Sequence, residues 1–248
     1  MLKLPDVTLV AVETRATELQ QLAIDDCQKA ARFGDVINIT EPDYPDQVSW
    51  ARGWCHDVVP RLKTSHALHI QWDAWIWHPE MWRDEFLKYD YIGAPWWYKD
   101  GKNVGNGGFC LKSTALMRYL HDRRDKYPAE DHHNDNNLCR VHRASLEEAG
   151  FVWAPENVAW DFAYEGCNTD RKPDKHFGFH AMFNWPHVLS HDDLLARVKL
   201  VFDCPQTREG SQVKWFTRQH PHIIKELLGS TGESDDGSGI SLYGEGLA

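Results

Sequence analysis

The chain has 248 residues, 42% of them hydrophobic, with a formal net charge of −10, enough for one large domain or two small ones. That acidity argues against a broad phosphate-tracking surface, so a nucleic-acid partner is disfavoured, although a pocket for one nucleotide or one modified base stays open. The six cysteines (27, 55, 110, 139, 167, 204) include no CxxC pair, which fits reduced thiols rather than a zinc knuckle or disulfide scaffold.

No apolar run is long enough to span a bilayer, and MLKLPDVTLVAVETR lacks a signal-peptide core, so the expectation is a cytoplasmic chain with no transmembrane segment. Val7–Val12 reads as a buried, central parallel strand. Thr17–Ala31 reads as a helix, with Leu19, Leu22, Ala23, Cys27 and Ala30 on one face, Thr17 as its cap and Gly34 as its stop. Asp35–Thr40 is a second strand. This β-α-β start predicts an α/β fold: a mostly parallel central sheet flanked by helices.

After a Pro/Asp loop at 41–47, Ser49–Leu62 reads as a helix. His66–Gln71 reads as the third strand, Pro79–Leu87 as a short helix and Tyr89–Gly93 as another strand. Cys110–Ser113 is strand-like and Thr114–Arg124 helical. Asn136–Ala149 is a helix closed by Gly150. Phe151–Trp153 has the pattern of a short strand, and 157–164 is ambiguous. Asp192–Phe202 and Gln212–Leu228 are two C-terminal helices. The expected organisation is one domain over 1–228, then an acidic Gly/Ser-rich tail over 229–248 with disorder-type composition.

The chemistry concentrates between residues 66 and 113, where six of the twelve Trp lie between Trp72 and Trp97. Asp73 follows the third strand, where open α/β sheets bind ligands. A carboxylate there can hold a hard divalent cation such as Mn²⁺ or Mg²⁺ against a diphosphate; it can equally be a turn residue before Trp75. Gly105-Asn106-Gly107-Gly108 lets backbone approach a ligand and offers N–H donors, or is a hairpin turn.

The stretch Glu130–Asp135 can gather metal ligands, supply a general base, or cap the helix at Asn136. His176 and His180 share a face if extended. Either can complete a metal site with Asp73 or be structural. The Trp cluster is partly core; Trp96 and Trp97, at a loop edge, suit the apolar face of a sugar ring.

These stretches together resemble a glycosyltransferase-like family of the GT-A type. The resemblance rests on Leu4–Thr14, Ile70–Trp96 (QWD and DYIGAPW), Val104–Ser113 (GNGGF), Asn134–Cys139, Trp153–Glu165 and Phe177–Trp185 (FGFH), in one order. It implies a GT-A, Rossmann-like domain that moves a sugar from a nucleotide-sugar donor to a hydroxyl of a glycan or other acceptor. A carboxylate base acting on that hydroxyl implies inversion, with a retaining transfer as the alternative.

By that resemblance Asp73 stands for the metal-binding acidic motif, here QWD with Trp75 in place of the second Asp, and His180 completes the metal site. The strand end Ala11, Val12, Glu13, Thr14 and Arg15 holds the nucleotide. Gln71, Trp72, Asp90, Trp96, Asn106, Gly107 and Gly108 face donor sugar and acceptor. Asp135 is the base, with Asp131 as the fallback. The rival readings are a carbohydrate- or nucleotide-sugar-binding protein on a degenerate transferase fold, and a metal-dependent hydrolase.

Overall fold

The computed structural model describes residues 1–13, 16–41, 44, 46–129, 135–166, 173–208 and 210–230. In chain order the elements are β1 (Leu2–Val12), α1 (Thr17–Ala30), β2 (Ala31–Ile39), α2 (Gln47–Gly53), β3 (His66–Ile70), β4 (Trp75–Ile76), β5 (Tyr91–Gly93) and β6 (Phe109–Ser113). There follow α3 (Thr114–Asp122), α4 (Arg143–Glu148), α5 (Glu156–Phe162), β7 (Ala163–Tyr164), β8 (Gly178–Phe179), α6 (Trp185–Val188), α7 (His191–Asp203), α8 (Pro205–Arg208), α9 (Ser211–Gln219) and α10 (Pro221–Ser230).

The central sheet has the order β2-β1-β3-β6-β5. β1 pairs parallel with β2 and β3; β6 runs against both β3 and β5. Four of the five strands therefore point one way, and the fold is the expected α/β type with a mostly parallel sheet between helices. A smaller sheet, β4-β8-β7, lies beside it.

The period-2 alternation of the strands divides the interior. Val7, Leu9, Ala11, Leu68, Ile70, Ile92, Phe109 and Leu111 face one core, shared with α1, α7, the small sheet and Trp185. Val10, Val12, Ile37, Ile39 and Ala67 face a second, under α2 and Trp54. Tyr91 and Cys110 join a third, with Leu116, Leu138 and Trp153. Arg197 of α7 pairs with Asp26 of α1 and lies 4.4 Å above the Trp75 ring, tying both helices to the small sheet.

Several boundaries differ from expectation. β1 starts at Leu2, because residues 2–4 pair with 31–33 across a register irregularity that absorbs Pro5 and Asp6. Gly34 lies inside β2, not past a helix end; a Cβ there would run into the Pro5 carbonyl. Thr17 is not the cap of α1: Ala16 is, and its N–H donates to Glu13 Oε1 at 3.3 Å.

The helix expected over Ser49–Leu62 is α2, opened by an Asp46–Ser49 capping box, then a π turn at Trp54–Val58 and a 3₁₀ turn at Val59–Arg61. Pro79–Leu87 forms two 3₁₀ turns. The helix expected over 136–149 is a π turn (Asn137–Val141) and then α4. Residues 157–164 resolve into α5 and β7. His220 and Pro221 split the last helix in two, and Gly229 and Ser230 close α10. The rest of the expected tail lies outside the described residues.

Candidate functional site

β1 and β3 end side by side, Ala11 opposite Ile70, and the antiparallel β6 begins there, Ile70 opposite Phe109. One sheet edge therefore collects Ala11–Glu13, Gln71–Asp73 and Gly105–Gly108. The Gln71 N–H donates to the Gly108 carbonyl at 2.9 Å, and the Ala74 N–H donates back to Gln71 O at 3.1 Å. That turn points Asp73 inward. Its side chain is fully buried, and neither carboxylate oxygen makes a hydrogen bond among the described residues.

The small sheet brings the partners. β7 and β8 are parallel, with Tyr164 opposite Phe179. Their next residues, Glu165 and His180, meet with Oε1 3.2 Å from Nδ1. β4 pairs antiparallel with β8, Trp75 opposite Phe179, which brings Asp73 back over His180: Oδ1 lies 3.6 Å from Nε2. Gln71 Oε1 is 3.1 Å from the same Nε2, and Asn106 Nδ2 is 3.0 Å from Nδ1. Burial pulls the His180 pKa down, but Asp73, Glu165 and, more weakly, Asp135 outweigh it and raise it to about 9. Burial drives the Asp73 carboxyl up, and His180 opposes it.

The glycine loop forms the opposite wall. Asn106 has φ +52°, a left-handed conformation that Asn tolerates. Gly107 N–H donates to Asp135 Oδ2 at 2.8 Å, while Asn136 N–H donates to Oδ1 at 2.8 Å. Asp135 thus holds the loop as well as opening the helical turn. The Gly107 carbonyl lies 2.6 Å from His69 Nδ1. Gly108 leaves room for His180; a Cβ there would fall on the imidazole ring.

Ala11 and Val12 are buried, and the Val12 carbonyl accepts from Trp50 Nε1 at 2.9 Å. Glu13 is half-buried at the strand end. Trp72 is half-buried, edge-on to Trp185 at 5.8 Å. Trp96 packs over Gly105, where a Cβ would meet its ring, so it braces the loop. Trp97 is 47% exposed and stacks on Tyr98, which carries Arg140 at 3.6 Å. Thr14, Arg15 and Asp131 lie outside the described residues.

Asp90 is a correction. The resemblance implies that it faces donor sugar, but it precedes β5, which runs parallel to β3, so it lies at the sheet end opposite Asp73. There it accepts from Ser113 Oγ, and its Oδ2 accepts from Val152 N–H at 2.9 Å. It fastens β5, β6 and the segment after α4. His176 is also structural: its ring is bonded to the Trp160 carbonyl and stacked on Tyr164. Glu165 was not singled out from the sequence. Nor was Gln212 of α9, whose Oε1 accepts from Met182 N–H at 3.2 Å beside the site.

Carboxylate oxygens without hydrogen bonds, an imidazole nitrogen beside them and a second carboxylate form a donor set that suits a hard divalent cation. Asp73 and His180 are the residues that could hold one, the imidazole giving up its Nε2 proton to the ion's charge, with Glu165 orienting the ring from Nδ1.

Residues 60–180 match the profile of a family described as "Protein of unknown function (DUF5672)". No curated protein matches the chain significantly in sequence. Among solved structures, the chain is similar to a glycosyltransferase involved in the glycosylation of the major capsid of PBCV-1. The TM-score is 0.48 at 8% identity, covering 70% of this chain and 91% of that one. It is also similar to S. aureus TarS 1-349 in complex with UDP, with a TM-score of 0.34 at 11% identity, covering 94% of this chain and 76% of that one. No helix among the described residues is long and apolar enough to cross a membrane, and the five described cysteines are free thiols.

Proposed function

We propose that the chain is a glycosyltransferase that moves a sugar from a nucleoside-diphosphate sugar to an acceptor hydroxyl. The observation that carries this reading is the buried Asp73 carboxylate at the end of β3, free of hydrogen bonds among the described residues and facing His180 at 3.6 Å, across from the glycine loop. The sequence motifs that meet at this edge are those on which the family resemblance rests.

In this reading Ala11–Glu13 takes the nucleotide at the strand end. Asp73 and His180 would hold a divalent cation, whose charge neutralises the departing diphosphate. Asn106 and the turn of the glycine loop position the transferred sugar through backbone and amide groups. Asp135 removes the proton of the acceptor hydroxyl: each of its oxygens accepts one backbone N–H and keeps lone-pair capacity for that proton. A base acting directly on the acceptor gives inversion at the anomeric carbon.

A thermal-shift screen of nucleoside-diphosphate sugars with Mn²⁺ or Mg²⁺ tests the reading. Ligands that bind only the native state raise its apparent stability. A cation-dependent rise with one donor class is expected; no rise with any donor contradicts it.

A further inference from the structure

We propose that Cys55, His56 and His121 form a second metal site, for zinc or a similar borderline-soft divalent ion, sharing no residue with the Asp73 site. One ligand atom from each lies within 4.8 Å of the others. In a tetrahedral site the bond lengths put neighbouring S and N donors about 3.5 Å apart, so modest side-chain rotation closes the set. One thiolate and two imidazoles are donors that select zinc-class ions over Mg²⁺ or Ca²⁺.

The surrounding backbone is fixed. Cys55 and His56 lie on the π turn Trp54–Val58, a widened turn of a kind frequent at functional sites. His121 lies in the last turn of α3, which is tied alongside: Arg118 donates to the Leu62 carbonyl at 2.8 Å, and Thr114 Oγ1 donates to Thr64 O at 2.8 Å. Asp122 Oδ1 lies 3.2 Å from His121 Nδ1. A carboxylate on one ring nitrogen is the usual way to orient the other toward a metal.

Cys55 is buried while His56 is exposed, so the ion has a path from solvent and the fourth position falls to water. Burial pushes the Cys55 thiol up, and the Arg124 guanidinium beside it partly offsets this. Metal binding releases the thiol proton, and Arg124 must swing aside.

The test is titration of the chelator-stripped full chain with Co²⁺, read by the thiolate-to-cobalt charge-transfer band, which only a cysteine ligand produces. We expect saturation at one equivalent and displacement by Zn²⁺, which binds such donors more tightly. The band should vanish in Cys55→Ser, affinity should fall at least about tenfold in His56→Asn, and Asp73→Asn should keep both. His56 is exposed and Cys55→Ser changes one atom, so circular dichroism should show both variants folded. Absence of the band in the wild type, or an unchanged band in either variant, overturns the proposal.

Discussion

Glu165 Oε1 lies 3.2 Å from His180 Nδ1 because each residue directly follows one of two paired parallel strands. Removing the Glu165 charge leaves the strand pairing intact but takes away the carboxylate that makes the imidazole more basic and fixes its Nδ1 proton. Glu165→Gln should therefore lower sugar transfer about 10–100-fold and weaken the response to added cation, with little change in unfolding midpoint. Steady-state rates over a range of Mn²⁺ concentration check this.

Gly108 is where the loop packs directly on His180. In Gly108→Ala the new methyl and the His180 ring claim the same space. Transfer should be lost, with a destabilisation of about 1–3 kcal/mol from overpacking. Gly107→Ala, whose Cβ would stand 3.3 Å from Asp135 Cβ, should be the milder of the two. Denaturant unfolding and activity on the pair separate these outcomes.

Ala181 has φ +84° and ψ +136°, a region suited to glycine, directly after His180. Ala181→Gly should stabilise the chain by about 1 kcal/mol by relieving strain, visible as a higher denaturant midpoint.

His69 is buried against Trp50 and Trp54, and burial, then the nearby Lys112 charge, holds its pKa well below the ordinary value. The unfolded chain then binds more protons than the folded one, so His69's contribution is full above about pH 6.5 and is lost as the pH falls. The loss falls between about pH 7 and pH 5, around the ordinary histidine range. His66 and His176, also lowered by burial, add with the same sign. Denaturant melts at the two pH values should show a smaller loss in His69→Gln than in wild type.

The sheet was legible wherever a strand is buried on both faces. Val7–Val12 and His66–Ile70 are continuous apolar runs, and both are central. Asp73 was legible because it follows such a run. The start of β1 was not, since Pro5 and Asp6 read as the opening of a strand rather than a shift within it, and Gly34 reads as a helix stop although it is a strand residue under Pro5. Asp90 follows the right residue types, but its sheet end depends on the direction of β5, which no local pattern fixes. Glu165 reaches His180 only through strands of two residues each, too short to leave any periodicity.

The central claim is that Asp73 carries sugar transfer at the end of β3. The measurement is release of nucleoside diphosphate from the donor identified by thermal shift, with saturating Mn²⁺ or Mg²⁺, for wild type and Asp73→Asn in parallel. The account predicts turnover by the wild type and a loss of about 10²-fold or more in the variant, with an unchanged circular dichroism spectrum. Equal turnover by a folded Asp73→Asn would contradict it.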